Sequence, residues 1–155
     1  MLKIALPNKG SLSEEATLLV KEAGYKCKRR NKELLIIDKE HDIEFFFIRP
    51  KDIATYVHNG IIDLGITGRD LSIDSDTGVE EILPLNFGNS SFYYAVPGNS
   101  ELTPDKFDGI RIATSYPNLV KRDMERRGLN ASVVKLDGAV EISIRLGVAD
   151  AIADV

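Results

Sequence analysis

The 155-residue chain has no tryptophan, a single cysteine and no long apolar run. A lone Cys27 cannot close an intrachain disulfide, so the fold must rest on buried apolar surface, and a reducing, cytoplasmic compartment is the expectation. No stretch approaches the ~18 apolar residues of a membrane span. An excess of positive charge is missing too: 20 Lys and Arg stand against 24 Asp and Glu, a formal net charge of −4, with a pI of about 5.2. Binding driven by counterion release needs a basic face, so a general nucleic-acid binder is disfavoured, whereas a discrete anionic ligand is not. There is no G-x-G-x-x-G, no Walker motif, no H-E-x-x-H and no Cys/His cluster, which argues against nucleotide hydrolysis by a P-loop and against structural zinc. Met1-Leu2-Lys3-Ile4-Ala5 enters a strand-like run directly, without a charged leader or cleavage site, so no targeting segment is expected.

What is present is a globular α/β pattern. With 43% hydrophobic residues the chain can build a sizeable core, in one domain or in two small lobes. Leu2 to Leu6 reads as a strand stopped by Pro7. Ala16, Leu19, Val20 and Ala23 repeat at helical spacing, behind a capping box at Ser11-Leu12-Ser13-Glu14 and ahead of a stop at Gly24. Leu34–Ile37 and Glu44–Ile48 read as strands, Pro50 opens a helix carrying Ile53, Ala54 and Val57 inward, and Ile61–Ile66 reads as a buried strand. Residues 67–91, rich in Gly, Ser, Asp and Asn, hold the expected boundary between lobes 1–88 and 89–155. Beyond it come strands at Phe92–Val96, Ile110–Ala113, Ser132–Leu136 and Ala149–Val155. Helices are expected after Ser115, which can cap, and from Asp137 to Gly147. Two echoes, Lys3-Ile4-Ala5 with Arg111-Ile112-Ala113 and Gly60-Ile61-Ile62-Asp63 with Gly147-Val148-Ala149-Asp150, fit either two similar lobes or chance likeness among short strands.

In α/β sheets ligands bind beyond the carboxyl ends of strands, where backbone N–H groups and helix N-termini point. Three strand-to-helix turns fall there: Pro7-Asn8-Lys9-Gly10-Ser11, Thr67-Gly68-Arg69-Asp70 and Thr114-Ser115-Tyr116-Pro117-Asn118. Lys9 can neutralise phosphate, Asp70 can accept from an amine or hydroxyl, and Tyr116 can stack on a base; any one of the turns alone reads rather as an ordinary cap, and the three together shift the reading modestly toward a site. Arg49 and Lys51 stand at a fourth strand end, where cations oppose the helix dipole unless an anion is near. The run Lys26-Cys27-Lys28-Arg29-Arg30-Asn31-Lys32 reads as a solvated loop whose cations lower the Cys27 thiol pKa, with no histidine placed to make a Cys/His nucleophile. Asp63 and Asp150 read as structural turns, whereas Asp154 and Glu141 read as functional carboxylates able to meet ribose hydroxyls, Mg²⁺ or a developing cation.

Taken in order, Pro7-Asn8-Lys9-Gly10, Phe45-Phe46-Phe47-Ile48-Arg49-Pro50-Lys51-Asp52-Ile53, Gly65-Ile66-Thr67-Gly68-Arg69-Asp70, Phe87-Gly88-Asn89-Ser90-Ser91-Phe92, Arg111-Ile112-Ala113-Thr114-Ser115-Tyr116-Pro117 and Leu136-Asp137-Gly138-Ala139-Val140-Glu141 resemble the catalytic region of the ATP phosphoribosyltransferases. The resemblance implies two lobes of the type II periplasmic-binding-protein kind with a cleft between them. It implies a transferase joining phosphoribosyl diphosphate to N1 of ATP at the start of histidine biosynthesis, with Mg²⁺ carried mainly on substrate phosphates and Asp154 a candidate to meet it. Lys9, Gly10, Arg49 and Lys51 then serve phosphates, Asp70, Leu71 and Tyr116 hold the adenosine, and Lys51, Glu141 and Asp154 are the catalytic candidates. A homo-oligomer, dimer or hexamer, is implied for the complete protein. In that family the last strand runs into a phosphate-cradling loop and a segment returning to the first lobe; the sequence stops at Val155, so the expectation is an incomplete first lobe, a truncated second and no turnover by this chain alone. The rival class is a non-enzymatic two-lobed module that binds or senses a small anion.

Overall fold

The computed structural model describes residues 1–155, which divide into two compact units, Met1–Asn89 and Ser90–Val155. In the first, β1 (Leu2–Pro7), β3 (Ile43–Ile48) and β4 (Leu64–Gly65) run parallel, and β2 (Leu35–Asp38) joins β3 antiparallel, giving the order β2-β3-β1-β4. Period-two alternation assigns the faces. Ile4 and Leu6 of β1 and Ile43, Phe45 and Phe47 of β3 pack with Ala16 and Val20 of α1 (Ser11–Glu22). Ala5, on the opposite face, packs with Ile53 of α2 (Pro50–His58) and with Ile62, and Phe46 and Ile48 lie against them. A short α3 (Arg69–Asp74) follows β4.

The second unit repeats the plan. Parallel β6 (Arg111–Thr114), β7 (Ser132–Lys135) and β8 (Ala151–Asp154) are joined by antiparallel β5 (Tyr93–Ala95) in the order β5-β8-β6-β7. Val120 and Met124 of α4 (Pro117–Arg127) close a core around Phe107, Ile112, Ala151 and Ala153. A four-residue α5 (Ile142–Arg145) precedes β8.

Several local expectations fail for identifiable reasons. Gly10, not Ser11, occupies the N-cap of α1, and no side chain caps it; the Gly10 carbonyl accepts the Ser13 N–H at 3.0 Å, which places Ser11 inside the helix and leaves no capping box. Leu19 and Ala23 are exposed, and the buried stripe is Ser13, Ala16 and Val20. The strand expected over Ile61–Ile66 shrinks to Leu64–Gly65 because Asp63 is taken up by Lys3: the Lys3 N–H donates to Asp63 Oδ2 at 2.8 Å, and the Asp63 N–H to the Lys3 carbonyl at 3.0 Å. Ser115 does not cap α4. Tyr116 holds the N-cap position, its own N–H donated to Thr114 Oγ1 at 2.9 Å. The helix expected from Asp137 starts only at Ile142, since Gly138 and Ala139 take left-handed φ values of 157° and 50° that no helix continues through. Cys27 is 1% exposed, and burial pushes its thiol up to about 11 despite the partly offsetting charge of Lys21.

Candidate active site

Because β1, β3 and β4 are parallel and in register, with Pro7 beside Ile48 and Ala5 beside Gly65, their following turns emerge at one edge of the sheet. Lys9, Gly10, Arg49, Lys51, Asp70 and Leu71 are gathered there. Asn8 donates its N–H to the Ile48 carbonyl at 2.9 Å, binding the first turn to the second. Gly10 holds φ 79°, a left-handed value that favours glycine, and the space on its Cβ side is open. Arg49 is the N-cap residue of α2 and its Nε donates to Asp52 Oδ2 at 2.8 Å; Lys51 follows in the first turn of the same helix, half-buried. The third turn is tied to the second by Thr67, whose hydroxyl donates to the Pro50 carbonyl at 2.7 Å. Asp70 turns its carboxylate back, accepting the Leu71 N–H at Oδ1 at 2.9 Å, directly over Gly68.

One residue with a hand in this edge carries no local signal in the sequence. Arg29 lies in the basic run that reads as solvated, yet its guanidinium sits 4.4 Å from the centroid of Phe47 and donates to the carbonyls of Asn8 and Glu33, each at 2.7 Å. Its position 21 residues from Asn8 is fixed by packing alone. A polar depression of about 500 Å³ beside it is lined by Asn8, Lys9, Gly10, Ser13, Lys21 and Arg29, among others. Thr67 was legible as part of its turn, but its partner, 17 residues upstream, was not.

In the second unit the carboxyl edge of β6, β7 and β8 carries Tyr116, Glu141 and Asp154. Tyr116 is 9% exposed and meets Phe92 edge to face, with centroids 5.6 Å apart. Glu141 precedes α5 with an exposed side chain. Asp154 ends β8, half-buried, its Oδ1 accepting the Val155 N–H at 2.9 Å. Asp150 is structural: Arg111 grips it through Nη2 at 3.0 Å, Nε at 3.2 Å and its backbone N–H at 2.9 Å, and the guanidinium bonds followed by the backbone bond hold its carboxyl below the usual range. No three His, Cys, Asp or Glu side chains come together to hold a metal ion, and no helix is long and apolar enough to cross a membrane.

The first unit's edge thus offers cations around a helix N-terminus, suited to phosphate, beside a carboxylate able to accept from a hydroxyl or amine. Comparison with known proteins points the same way. Residues 49–155 match the model of the family described as ATP phosphoribosyltransferase (HisG). The chain is 63% identical over 155 residues to the ATP phosphoribosyltransferase of Corynebacterium diphtheriae and 60% identical over 156 residues to that of Salinibacter ruber, in each case over 100% of this chain and 55% of the relative. It therefore spans about half the length of the curated relatives it matches. Among solved structures, the ATP phosphoribosyl transferase (HisG:HisZ) complex from Thermotoga maritima superposes with a TM-score of 0.79 at 30% identity, covering 99% of this chain and 73% of that one.

Proposed function

The chain belongs to the ATP phosphoribosyltransferase family, and from that premise we propose that it serves to transfer the phosphoribosyl group of phosphoribosyl diphosphate to N1 of ATP, releasing pyrophosphate, as a cytoplasmic first step of histidine biosynthesis. The observation that carries this reading is the convergence of Lys9, Arg49, Lys51 and Asp70 at one sheet edge. The two-unit layout, each unit a small twisted sheet flanked by helices, agrees with the type II periplasmic-binding-protein kind of fold.

Adenine N1 already carries a lone pair, so no strong base is needed. The barrier is electrostatic: pyrophosphate departs with negative charge while the ribosyl C1 becomes oxocarbenium-like. Lys51 and Arg49, at the N-terminus of α2, meet the leaving pyrophosphate, and Lys9 and the open space over Gly10 receive phosphate. Asp70 and Leu71 position the adenosine, with Tyr116 against the base. Glu141 and Asp154 face the ribosyl donor and stabilise the positive charge that develops on it. Mg²⁺ carried mainly on the substrate phosphates, with Asp154 the candidate residue to meet it, would offset the negative charge that departs with pyrophosphate.

The test joins binding to turnover. The chain is titrated calorimetrically with ATP and with pyrophosphate, and a polypeptide extended to the relatives' full length is incubated with ATP, phosphoribosyl diphosphate and Mg²⁺. Formation of N1-substituted adenine, seen as new absorbance and lost at least about 100-fold in Lys51→Ala, is the expected outcome. Saturable binding without turnover in the extended polypeptide would instead identify a small-anion sensor.

A further inference from the structure

The turn that follows β1 is held from two sides. Asn8 donates its N–H to the Ile48 carbonyl at the end of β3, and its own carbonyl accepts from Arg29 Nη1 at 2.7 Å. A peptide group is planar and trans, so a carbonyl fixed on one side sends the following N–H to the other. With the Asn8 carbonyl bound to Arg29, the Lys9 N–H therefore points away from the guanidinium, and the direction in which the chain enters Lys9 is set. Gly10 then takes φ 79° and α1 begins.

Arg29 is itself immobilised. Its Nε donates to the Glu33 carbonyl at 2.7 Å, and its guanidinium lies over the ring of Phe47, a core residue, 4.4 Å from the centroid. The segment around it is fastened as well: the Lys26 N–H donates to the buried Asp38 at 2.8 Å, Cys27 is buried, and the Arg30 N–H donates to Glu33 Oε2 at 2.9 Å. Lys26, Lys28, Arg30 and Lys32, the other cations of the run, are exposed, whereas Arg29 is half-buried. Only a guanidinium can lie flat on a ring while donating in two fixed directions. We propose that Arg29 is a positioning residue for the phosphate-receiving turn, acting through the backbone of Asn8 to hold Lys9 and Gly10 ready for an anion. The inference rests on the reading of Lys9 and Gly10 as that turn. A free turn would have to be ordered when the anion binds; with Arg29 in place the ordering is complete on folding, and the affinity rises by that difference. Because Arg29 also lines the polar depression beside Lys9, its charge reaches the same space, and the experiment has to separate geometry from charge.

Calorimetric titration of the chain with inorganic pyrophosphate does so, using Arg29→Lys, Arg29→Gln, Lys9→Ala and Lys9→Ala combined with Arg29→Lys. Circular dichroism and thermal melting verify that each variant folds, and each is titrated well below its melting temperature. Lysine keeps the charge but not the two directed bonds, so Arg29→Lys should weaken pyrophosphate binding about tenfold, to within about threefold of Arg29→Gln. In the Lys9→Ala background the same change should cost no more than about threefold, because the side chain it positions is gone. Lys28→Gln, which removes a charge from an exposed side chain of the same run, should bind within about twofold of the original. The proposal is overturned if Arg29→Lys binds as the original does, which would assign the effect to charge and leave the phosphate reading intact. Effects at positions 9 and 29 that simply add would also overturn it, by making Arg29 a support for the fold alone. A chain without saturable pyrophosphate binding overturns it together with the phosphate reading of this edge.

Discussion

At position 68 the absence of a side chain is what lets Asp70 keep its carboxylate where it is. A Cβ built on Gly68 would lie 2.3 Å from Asp70 Oδ1, while its backbone, at φ −70° and ψ 141°, suits any residue. Gly68→Ala should thus leave stability within about 0.5 kcal/mol of the original, because the far end of one side chain can swing aside. The swing displaces the acceptor proposed for adenosine, and ATP affinity should drop about 10–100-fold, the worth of a hydrogen bond to a charged group. Calorimetric titration beside a thermal melt separates the two effects; an unchanged affinity would remove Asp70 from the adenosine site. The glycine and the aspartate were both legible as parts of a strand-to-helix turn. The contact between them was not, since a sequence shows which residues share a turn but not which way a carboxylate folds.

Among the elements, α2 lies so close on β4 that their contact has almost no slack. A Cβ at Gly65 would fall 2.3 Å from the Ile53 γ2 methyl and 3.4 Å from that of Val57, so Gly65→Ala must push the helix off the sheet. We expect a loss of about 1–3 kcal/mol in chemical unfolding, as for other overpacked cores. Combining it with Ile53→Ala should be markedly less than additive, since the second change removes the atom in the way. Elements such as α2 were readable because Ile53, Ala54 and Val57 fall at helical spacing behind a proline. Those that were misread were decided by features other than apolar pattern. Ile61–Ile66 looks like a continuous apolar strand, and Asp137–Gly147 like a capped helix, but in the first Asp63 is claimed by Lys3, from 60 residues away, and in the second Gly138 and Ala139 take backbone angles that apolar periodicity does not report.

Over the whole molecule, the two units carry the same clamp. Lys3 and Asp63 exchange backbone and carboxylate hydrogen bonds in the first, and Arg111 and Asp150 exchange the same pair in the second. The short sequence echoes around these residues, too brief to tell from chance when read alone, thus occupy equivalent places, at the start of the central strand and just before its parallel neighbour. The Asp150 carboxyl titrates below its ordinary value when folded, so its contribution is fully present above the unfolded-state pKa of about 3.9 and disappears as pH falls through the folded value. Asp150→Asn should lower Tm by roughly 1–3 °C at pH 7, a modest amount because solvent screens the pair, and the difference from the original should vanish in strong acid. A Tm difference that persists below pH 2 would mean that the clamp acts through shape and not charge.

The clamps differ in how much chain each encloses. The first joins residues 60 apart and the second residues 39 apart, which by loop-closure entropy favours the second by about 0.4 kcal/mol. Part of the surplus is the strand β2 with its turn, inserted between helix and sheet in the first unit and without a counterpart in the second. The first unit, with β2 between its helix and its parallel strand, is therefore the one whose clamp closes the longer loop. Strand β2 itself pairs with β3 across the short turn of residues 39–42, so in newly made chain that hairpin can close before the clamp does, and the sheet is completed from its local edge inward.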